Sequence, residues 1–465
     1  MARKILFTTP YRIKDPYDYV GQYNTNTIFR FGFKRYISFG LRFIKQNIPD
    51  IEILEYPTLE LYKEKLKEGW DVVGFSFFMF ETPKALEMVK MAREAGVKEI
   101  WGGHYGALTP DIQHNFDRIF KGYAEHEIGD ELGIEVGEII HPPLVMLMSW
   151  APKINITRFA YPVGILFTSR GCMHHCTFCQ TPSFVNGNQV PIPLSSIERV
   201  VKYYADNGIK ELFIFEESFG SLRKHSDEVT KMLSKYNLKW SVMIRTDILN
   251  VNLNKWYQRG LGGAFLGVES LNQDSLKDIN KRNKTELTYK VGNSLRNRLR
   301  RTICFYIIGF ENDTVDSVKR DILELRKLKF DFYQICILTP LPTTPLWDEI
   351  DTKYGIFEKD YSNFDANHIV WNHPNIPRKE MQELLNWSLK HVYGRAWFLR
   401  MTRIFYTGFS ADFGYKDSPR YLYELFKKGK RLNSLHKNFK APLDMFEVYH
   451  PRKERKEETP VLKSA

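Results

Sequence analysis

Three cysteines stand close together in the chain, at a spacing that suits an iron–sulfur cluster. Cys172, Cys176 and Cys179 form a C-x3-C-x2-C pattern just after the apolar run 163–167. A loop this tight can bring three thiolates around one corner of a cubane, where they bind three irons of a [4Fe–4S] cluster. The fourth iron then has no protein ligand, so a small molecule with an amine and a carboxylate can chelate it.

A structural zinc site is the alternative for the same residues. The three cysteines, together with His174 or His175, supply the ligand set of a Cys3His zinc site. A zinc-stabilised nucleic-acid-binding protein would also agree with the net charge of +12. The spacing alone leaves both metals open, because a motif is a hypothesis until its structural context agrees with it.

The length and composition predict a multidomain globular protein. A chain of 465 residues is too long for one core and predicts roughly two to four domains. Five cysteines suggest no disulfide framework, and an iron–sulfur cluster needs a reducing compartment. No signal peptide is recognisable, and no window approaches the ~18 apolar residues of a spanning helix. We therefore expect a cytoplasmic protein whose membrane contact, where it has one, is peripheral.

The first part of the chain, residues 1–145, alternates short apolar strands with helices. Strands are predicted at 4–8, 51–56, 72–78 and 99–101, with an amphipathic stretch at 31–46 and helices at 59–68 and 83–95. Glycines follow several strands, which is typical of a doubly wound, Rossmann-like α/β domain with its ligand beyond the carboxyl ends of the strands. Residues 146–160, which contain Pro152, are predicted to be a linker.

The second part, residues 161–352, repeats a strand–helix unit six times. Its strands end in polar residues or glycine, which is the place where barrel enzymes carry their chemistry. The pattern predicts a partial (β/α)6 barrel that contains the cysteine loop, a context that a zinc module does not supply. Residues 353–465 are predicted to be a mainly helical C-terminal domain with a basic tail, including an amphipathic helix at 377–393.

The cysteine motif, with Phe178 before its last cysteine, resembles the signature of the radical S-adenosylmethionine (SAM) superfamily. The resemblance implies a reduced cluster that splits SAM into methionine and a 5′-deoxyadenosyl radical. It also implies SAM-binding roles by position: Glu216 and Glu217 for the amine, Arg245 for the carboxylate, Glu269 and Ser270 for the ribose, and Phe178, Gly309 and Leu338 for the adenine. The segment 339–346 resembles a T-P-x-P-G-T-P loop of this family, with Thr343 in place of the glycine.

The N-terminal domain resembles the cobalamin-binding domain that precedes many radical SAM enzymes, including the anaerobic magnesium-protoporphyrin cyclase type and the C-methylases. The resemblance lies in segments 73–76, 102–104 and 121–125. It implies a cobalamin site at Ser76, Gly102, Gly103, His104, Gly122 and Glu125, since glycines let a bulky ligand approach the backbone. The D-x-H-x-x-G motif of that family is absent, because Asp18 stands in the place of the cobalt-binding histidine.

The two resemblances together imply a cobalamin-dependent radical SAM methyltransferase that methylates an unactivated carbon of a large or apolar substrate. The deoxyadenosyl radical would abstract a hydrogen atom, and methylcobalamin would deliver the methyl group. The same architecture serves cyclisation and carbon–carbon bond formation on tetrapyrroles or lipids, so these reactions stay open. We expect a small-molecule, lipid or tetrapyrrole-like substrate and not nucleic acid, and a reducing partner such as flavodoxin or ferredoxin.

Overall fold

The computed structural model describes residues 3–12, 29–34, 37–152, 159–281, 283–295, 298–299 and 301–393. Asp18 and the predicted basic tail lie outside these residues. The described chain contains an N-terminal α/β unit, a barrel and a C-terminal segment. Within it, no helix combines the length and the apolar character needed to cross a membrane.

The N-terminal unit is built around a parallel sheet. Its elements are β1 (Ile5–Thr8), β2 (Phe29–Lys34), α1 (Phe39–Asn47), β3 (Glu52–Leu54), α2 (Leu59–Leu66), β4 (Val72–Ser76), α3 (Thr82–Glu94), β5 (Glu99–Gly103), α4 (His104–Ala107), β6 (Arg118–Ile119) and α5 (Glu125–Leu132). Five of the strands form one sheet in the order β3-β1-β4-β5-β6. This crossover order is that of a doubly wound domain, so the predicted fold class is confirmed.

Short sequence signals set the ends of these helices. The hydroxyl groups of Ser38 and Thr58 accept hydrogen bonds from the first turns of α1 and α2. The helix α5 ends at Gly133, which has a left-handed conformation (φ 67°). The strands β1 and β4 are buried almost throughout, as expected for a parallel sheet that is covered on both faces.

The barrel and the C-terminal segment follow. Their elements are β7 (Leu144–Pro152), β8 (Phe159–Leu166), β9 (Ser169–Gly171), α6 (Gln180–Phe184), β10 (Gln189–Pro191), α7 (Leu194–Asp206), β11 (Glu211–Ile214), α8 (Arg223–Lys235), β12 (Lys239–Arg245), α9 (Thr246–Gln258), β13 (Leu261–Glu269), α10 (Gln273–Asp278), α11 (Thr285–Leu295), β14 (Arg301–Ile308), α12 (Val315–Leu328), β15 (Phe332–Ile337), α13 (Pro345–Tyr354) and α14 (Arg378–His391). The six strands β8, β11, β12, β13, β14 and β15 are adjacent and parallel, which confirms the predicted partial barrel.

The structure differs from the predicted linker. Residues 144–152 form β7, which pairs antiparallel with β8 and with β2 and so extends the barrel sheet. The run from Leu144 to Met148 is apolar and long enough to form a buried strand. The prolines on either side of it are typical of a linker, and they led to the wrong prediction. The predicted amphipathic stretch at 31–46 is likewise divided between β2 and α1. In both segments, the secondary structure depends on strand pairing with residues that are distant in the sequence.

The C-terminal segment is part of the barrel's core and not a separate body. Trp371 is fully buried and donates its indole N–H to the carbonyl of Leu338 (3.0 Å). Met381 and Leu384 of α14 belong to the same hydrophobic cluster as the barrel strands. Between α13 and α14 the described chain is irregular apart from a short turn, so this part is less helical than predicted.

Candidate functional site

The three cysteines lie in the loop between β9 and α6, just beyond the carboxyl end of β8. Cys172 is 9% exposed, Cys176 and Cys179 are partly buried, and all three are free thiols. The pKa of Cys172 is raised to about 11, chiefly by burial, and the nearby Cys179 and Cys176 act in the same direction. The three thiols are therefore close neighbours in one loop, and iron binding would have to displace their protons.

The shape of this loop depends on Gly171. Its φ of 84° is left-handed, and a Cβ atom added here would lie 2.2 Å from the backbone oxygen of Asn188. That oxygen belongs to the chain leading into β10, which pairs with β9 in an antiparallel hairpin. Only glycine satisfies both constraints, so the hairpin sets the direction in which the chain enters the cysteine loop.

Neighbouring segments hold the loop without using the thiols. The N–H of Thr177 donates to the carbonyl of Ile279 (3.1 Å), and the Nδ2 group of Asn280 donates to the carbonyl of His175 (2.9 Å). The carbonyl of Thr177 also accepts from the N–H of Leu346 (3.1 Å). The loop is thus supported from two sides of the barrel mouth by bonds to its backbone.

The two histidines of the motif contact other parts of the chain in this structure. His174 Nε2 lies 3.1 Å from the hydroxyl of Ser221, and His175 packs against Gly187. Within the described chain, no three His, Cys, Asp or Glu side chains are close enough to hold one metal ion.

Charged side chains from neighbouring strand ends surround Cys176. Burial raises the pKa of Cys176, whereas Lys281 and a hydrogen bond with Arg245 act in the opposite direction. Lys281 Nζ lies 2.5 Å from Glu269 Oε1, and both side chains are largely buried. Lys281 is a site residue that sequence reasoning missed, because a lysine in a loop is usually exposed and no local pattern marks a buried one.

Comparison with known proteins agrees with this geometry. Residues 166–325, which contain the cysteine loop and most of the barrel, match the family model described as the Radical SAM superfamily. The chain contains a radical SAM domain. The resemblance inferred from the cysteine motif is confirmed for this domain, and the comparisons indicate that the protein is an enzyme.

Relatives and a solved structure extend the likeness beyond the radical SAM domain. An uncharacterized methyltransferase of Pyrococcus horikoshii is 24% identical over 318 residues, 60% of this chain and 69% of that protein. Bacteriochlorophyllide d C-12(1)-methyltransferase of Chlorobaculum tepidum is 22% identical over 348 residues, 70% of this chain and 75% of that protein. The radical SAM methyltransferase TsrM from Kitasatospora setae, solved with cobalamin and a [4Fe–4S] cluster, has the same fold, with a TM-score of 0.60 at 14% identity over 85% of this chain and 90% of TsrM.

The two glutamates predicted to receive the SAM amine have different surroundings. The carboxylate of Glu216 is buried and accepts hydrogen bonds from the backbone and side chains of Thr168 and Ser169, at 2.7 to 3.0 Å. Burial raises the pKa of Glu216 to about 7, and these hydrogen bonds oppose the rise. Glu216 therefore supports the chain just before the cysteine loop. Glu217 is exposed and accepts a hydrogen bond from the hydroxyl of Tyr123 (2.5 Å).

The residues predicted for the SAM carboxylate and ribose converge beside the cysteine loop. Arg245 makes two contacts of 3.1 Å with Asp247 and lies near Cys176, where Lys281 is a second cation. The carboxylate role of Arg245 stays a prediction. Glu269 has a left-handed φ of 63° at an irregularity of β13, and this conformation turns its carboxylate toward Lys281. Ser270 is buried, and its hydroxyl accepts from the N–H of Asn272 (2.9 Å).

The residues predicted to contact adenine mostly serve packing in this structure. The N–H of Gly309 donates to Asp313 (2.9 Å), and a Cβ atom at Gly309 would lie 2.9 Å from the Met381 side chain. The N–H of Leu338 donates to the carbonyl of Ile308 (2.9 Å), and its own carbonyl accepts from Trp371. Phe178 is partly buried against the barrel core. The adenine roles stay predictions.

The residues predicted for cobalamin divide into two groups. Ser76, Gly103 and His104 lie at the carboxyl ends of β4 and β5, where a doubly wound domain binds its ligand. A Cβ atom at Gly103 would meet only the carbonyl of Phe75, at 3.7 Å, so the backbone there is open to a ligand. At Gly102, by contrast, a Cβ atom would lie 3.0 Å from the ring of Phe116.

The other two predicted cobalamin residues face the barrel. A Cβ atom at Gly122 would lie 3.2 Å from the carbonyl of Phe184 in the radical SAM domain. Glu125 is buried and forms an ion pair with Arg170. Gly122 and Glu125 therefore join the two units, and their place at a cobalamin site stays a prediction.

Orphaned polar atoms at the open edge of the N-terminal sheet fit a polar cofactor. Thr82 Oγ1, His104 Nδ1 and Thr109 Oγ1 are buried, and none has a hydrogen-bond partner within the described residues. Burial lowers the pKa of His104 to about 4, so its imidazole is neutral near pH 7. Unpaired buried polar groups are costly and commonly mark a ligand site. The open backbone at Gly103 suits the close approach of a cobalamin, and a polar group reaching Thr82, His104 or Thr109 would supply the missing hydrogen-bond partner.

A cavity lies where the N-terminal unit meets the radical SAM domain. Its volume is about 220 Å³, and its walls come from residues 78–80 after β4, Gln180 beside Cys179, residues 333–336 of β15, and residues 364–367. One wall thus comes from the N-terminal unit and another from the residue next to the cysteine loop. A molecule in this cavity would contact both the N-terminal unit and the radical SAM domain.

Proposed function

We propose that this protein is a cobalamin-dependent radical SAM methyltransferase that methylates an unactivated carbon. One observation carries the proposal: the N-terminal unit is joined to the cysteine loop, with a cavity between them. The hydroxyl of Tyr123 accepts from the N–H of Gly171 (3.2 Å) and donates to Glu217, and Tyr105 lies 3.0 Å from the hydroxyl of Thr181. Methyl transfer to a substrate radical requires both cofactors to face one substrate, which this arrangement favours.

The residues of this chain have the following roles in the proposal. Cys172, Cys176 and Cys179 hold the cluster, Lys281 binds the SAM carboxylate, and Glu269 accepts from the ribose hydroxyls. A bound, reduced cluster supplies the electron that cleaves SAM, and bound cobalamin supplies the carrier for the methyl group. The walls of the cavity orient the carbon that receives the methyl group.

The relatives support methyl transfer over the other reactions of the architecture. Both of the relatives described above are named methyltransferases, as is TsrM. The name of the Chlorobaculum enzyme gives bacteriochlorophyllide d as its substrate, and this likeness favours a carbon atom of an organic molecule as the methyl acceptor. A flavodoxin or ferredoxin is the proposed reductant.

Anaerobic reconstitution with iron, sulfide and hydroxocobalamin tests the proposal. We expect about four irons per chain, retention of cobalamin in the visible spectrum, and formation of 5′-deoxyadenosine and S-adenosylhomocysteine from SAM under dithionite or reduced flavodoxin. Cys176→Ala should lose deoxyadenosine formation, whereas Cys304→Ala, at a buried thiol on β14, should keep it. Zinc without iron would end the proposal. Deoxyadenosine without S-adenosylhomocysteine would indicate a cyclase or a related reaction instead.

A further inference from the structure

The outer edge of β15 bounds the cavity. In the described chain β15 pairs only with β14, so its other side is a free edge of the barrel sheet. Along a strand in a parallel sheet, successive residues point their N–H and C=O groups alternately to the two sides. Tyr333 and Ile337 point outward, since their N–H groups donate to the hydroxyl of Tyr393 (3.1 Å) and the carbonyl of Ala366 (2.8 Å).

Ile335 lies between these two covered positions. By the same alternation its N–H and C=O groups also point outward, and Ile335 lines the cavity. Neither group has a hydrogen-bond partner in the part of the chain that the structure describes. A free donor and acceptor on one edge residue form the pairing unit to which an extended peptide adds in β-augmentation.

The side chains around this edge define the chemistry of the ligand. Phe78, Phe80 and Phe364 give the cavity aromatic walls, and Gln180, Gln334 and Asn367 add neutral amides. The single charged side chain among the described lining residues is Asp365, which already accepts from the Nδ1 of His368 (2.9 Å) and from the N–H of Asn367 (2.8 Å).

No cation lines the cavity among the described residues, although the chain has a net charge of +12. A phosphate or a free carboxylate would therefore have no charged partner there, and its burial would be costly. The cavity favours a neutral ligand. An apolar cavity of about 150 Å³ takes up benzene, so a volume of about 220 Å³ accommodates one aromatic side chain with its adjoining amide.

We propose that this cavity binds an aminoacyl residue whose amino and carboxyl groups are both in amide bonds, with an apolar or aromatic side chain. The N–H and C=O of that residue pair with the C=O and N–H of Ile335, and its side chain lies against the aromatic walls. The proposal rests on the methyltransferase function and names its substrate class, a peptide-bound amino acid and not a free one.

Binding of blocked and unblocked ligands tests this proposal. N-acetyl-tryptophanamide is the main probe, and indole, which lacks the amide pair, and free tryptophan, which is charged, are its comparisons. We expect equilibrium dialysis against the reconstituted protein to show at least about tenfold weaker binding of both comparisons. An N-acetylated, C-amidated Gly-Trp-Gly peptide should bind more tightly than the single blocked residue if the substrate is a longer peptide.

A pair of variants isolates the backbone donor. Ile335→Pro removes the outward N–H, which a strand at a sheet edge tolerates because that group is not part of the ladder. Ile335→Ala keeps the N–H and removes more of the buried side chain than proline does, so it is a stringent control for the loss of side-chain packing. We expect about tenfold weaker binding of N-acetyl-tryptophanamide to the proline variant and less than about twofold change for the alanine variant.

Hydrogen exchange in the unmodified protein provides a second measurement that does not depend on folding of the variants. The amide of Ile335 should exchange quickly in the free protein and slowly with N-acetyl-tryptophanamide bound. Equal binding of all three probes, equal loss in both variants, or an amide that is already protected without probe would overturn the proposal. The last result would mean that another part of this chain covers the edge.

Measuring deoxyadenosine formation in the same preparations distinguishes failure of the methyltransferase proposal from failure of the peptide proposal. Loss of SAM cleavage with intact binding of the blocked residue would contradict the methyltransferase proposal alone. Intact SAM cleavage without binding of any blocked residue would contradict the peptide proposal alone.

Discussion

The carboxylate of Glu125 lies 2.8 and 2.9 Å from two guanidinium nitrogens of Arg170, and both side chains are buried. Arg170 precedes Cys172 by two residues, and its guanidinium stacks over the rings of Phe43 (4.1 Å) and Tyr123 (4.7 Å). This pair therefore links the N-terminal unit to the cysteine loop through a fully desolvated contact.

Removing the charge of Glu125 tests that link. Glu125→Gln leaves the buried guanidinium without a counter-charge, so we expect the free energy of unfolding to fall by about 3 to 5 kcal/mol. Urea unfolding followed by circular dichroism measures the change. Glu127→Gln is the control, since Glu127 lies on the same helix and is exposed. Similar losses in the two variants would show that the ion pair has no special role.

The loop geometry predicts that Gly171 cannot carry a side chain. Gly133 also has a left-handed φ, of 67°, but a Cβ atom there would meet nothing within 4 Å. Gly133→Ala should therefore cost only about 1 to 2 kcal/mol, the penalty of that conformation. Gly171→Ala adds a collision with the carbonyl of Asn188, and we expect it also to lower the iron and sulfide content after reconstitution. Full cluster content in Gly171→Ala would contradict this prediction.

The position of Lys281 predicts a specific effect on SAM binding. Lys281→Gln removes the cation beside Glu269 and Cys176, and loss of one charge-assisted hydrogen bond should weaken SAM binding by about 1.5 to 3 kcal/mol. Equilibrium dialysis with labelled SAM measures the dissociation constant, and the visible spectrum checks that the cluster is intact. Lys277→Gln, at an exposed position of α10, should bind SAM as the unmodified protein does.

His141 predicts a loss of stability in acid. Its Nε2 accepts from the N–H of Phe167 (2.9 Å) and its Nδ1–H donates to the carbonyl of Pro142 (2.5 Å), so the ring is neutral. Burial lowers the pKa of His141 to about 3, whereas a histidine in the unfolded chain has a pKa of about 6.5. Between these values the unfolded state binds more protons, so stability falls as the pH drops.

The contribution of His141 can be measured by substitution. Its stabilising effect is fully present above about pH 6.5 and decreases by up to about 1.4 kcal/mol for each pH unit below that. His141→Gln should show a smaller fall in melting temperature between pH 7 and pH 5 than the unmodified protein. His126→Gln, at an exposed position on α5, should leave the slope unchanged. An unchanged slope in His141→Gln would exclude this account.

Thr343 occupies a left-handed position, with a φ of 68°, in the loop after β15. A β-branched residue in this conformation is strained. Thr343→Gly should raise the free energy of unfolding by about 1 kcal/mol, because the relief of strain exceeds the entropy cost of glycine. Ala366→Gly, at a left-handed residue without β-branching (φ 62°), should gain less. Destabilisation by Thr343→Gly would show that the turn is not strained.

Local patterns were enough to predict the cysteine loop, the six strand–helix units of the barrel and the doubly wound N-terminal unit. These features depend on residue spacing and on apolar periodicity within short segments, which the sequence displays directly. The superfamily followed from three cysteines and their neighbours, since the chemistry of the motif lies within eight consecutive residues.

The partners of individual side chains were decided by the tertiary structure. Glu216 supports Thr168 and Ser169, Glu125 pairs with Arg170, and Lys281 is buried beside Glu269. Each of these contacts joins residues 12 to 48 positions apart, and the energy of a buried charge depends on which group the fold places opposite it. The free edge at Ile335 has the same origin, because the number of strands beside β15 is a property of the assembled sheet and not of any local segment.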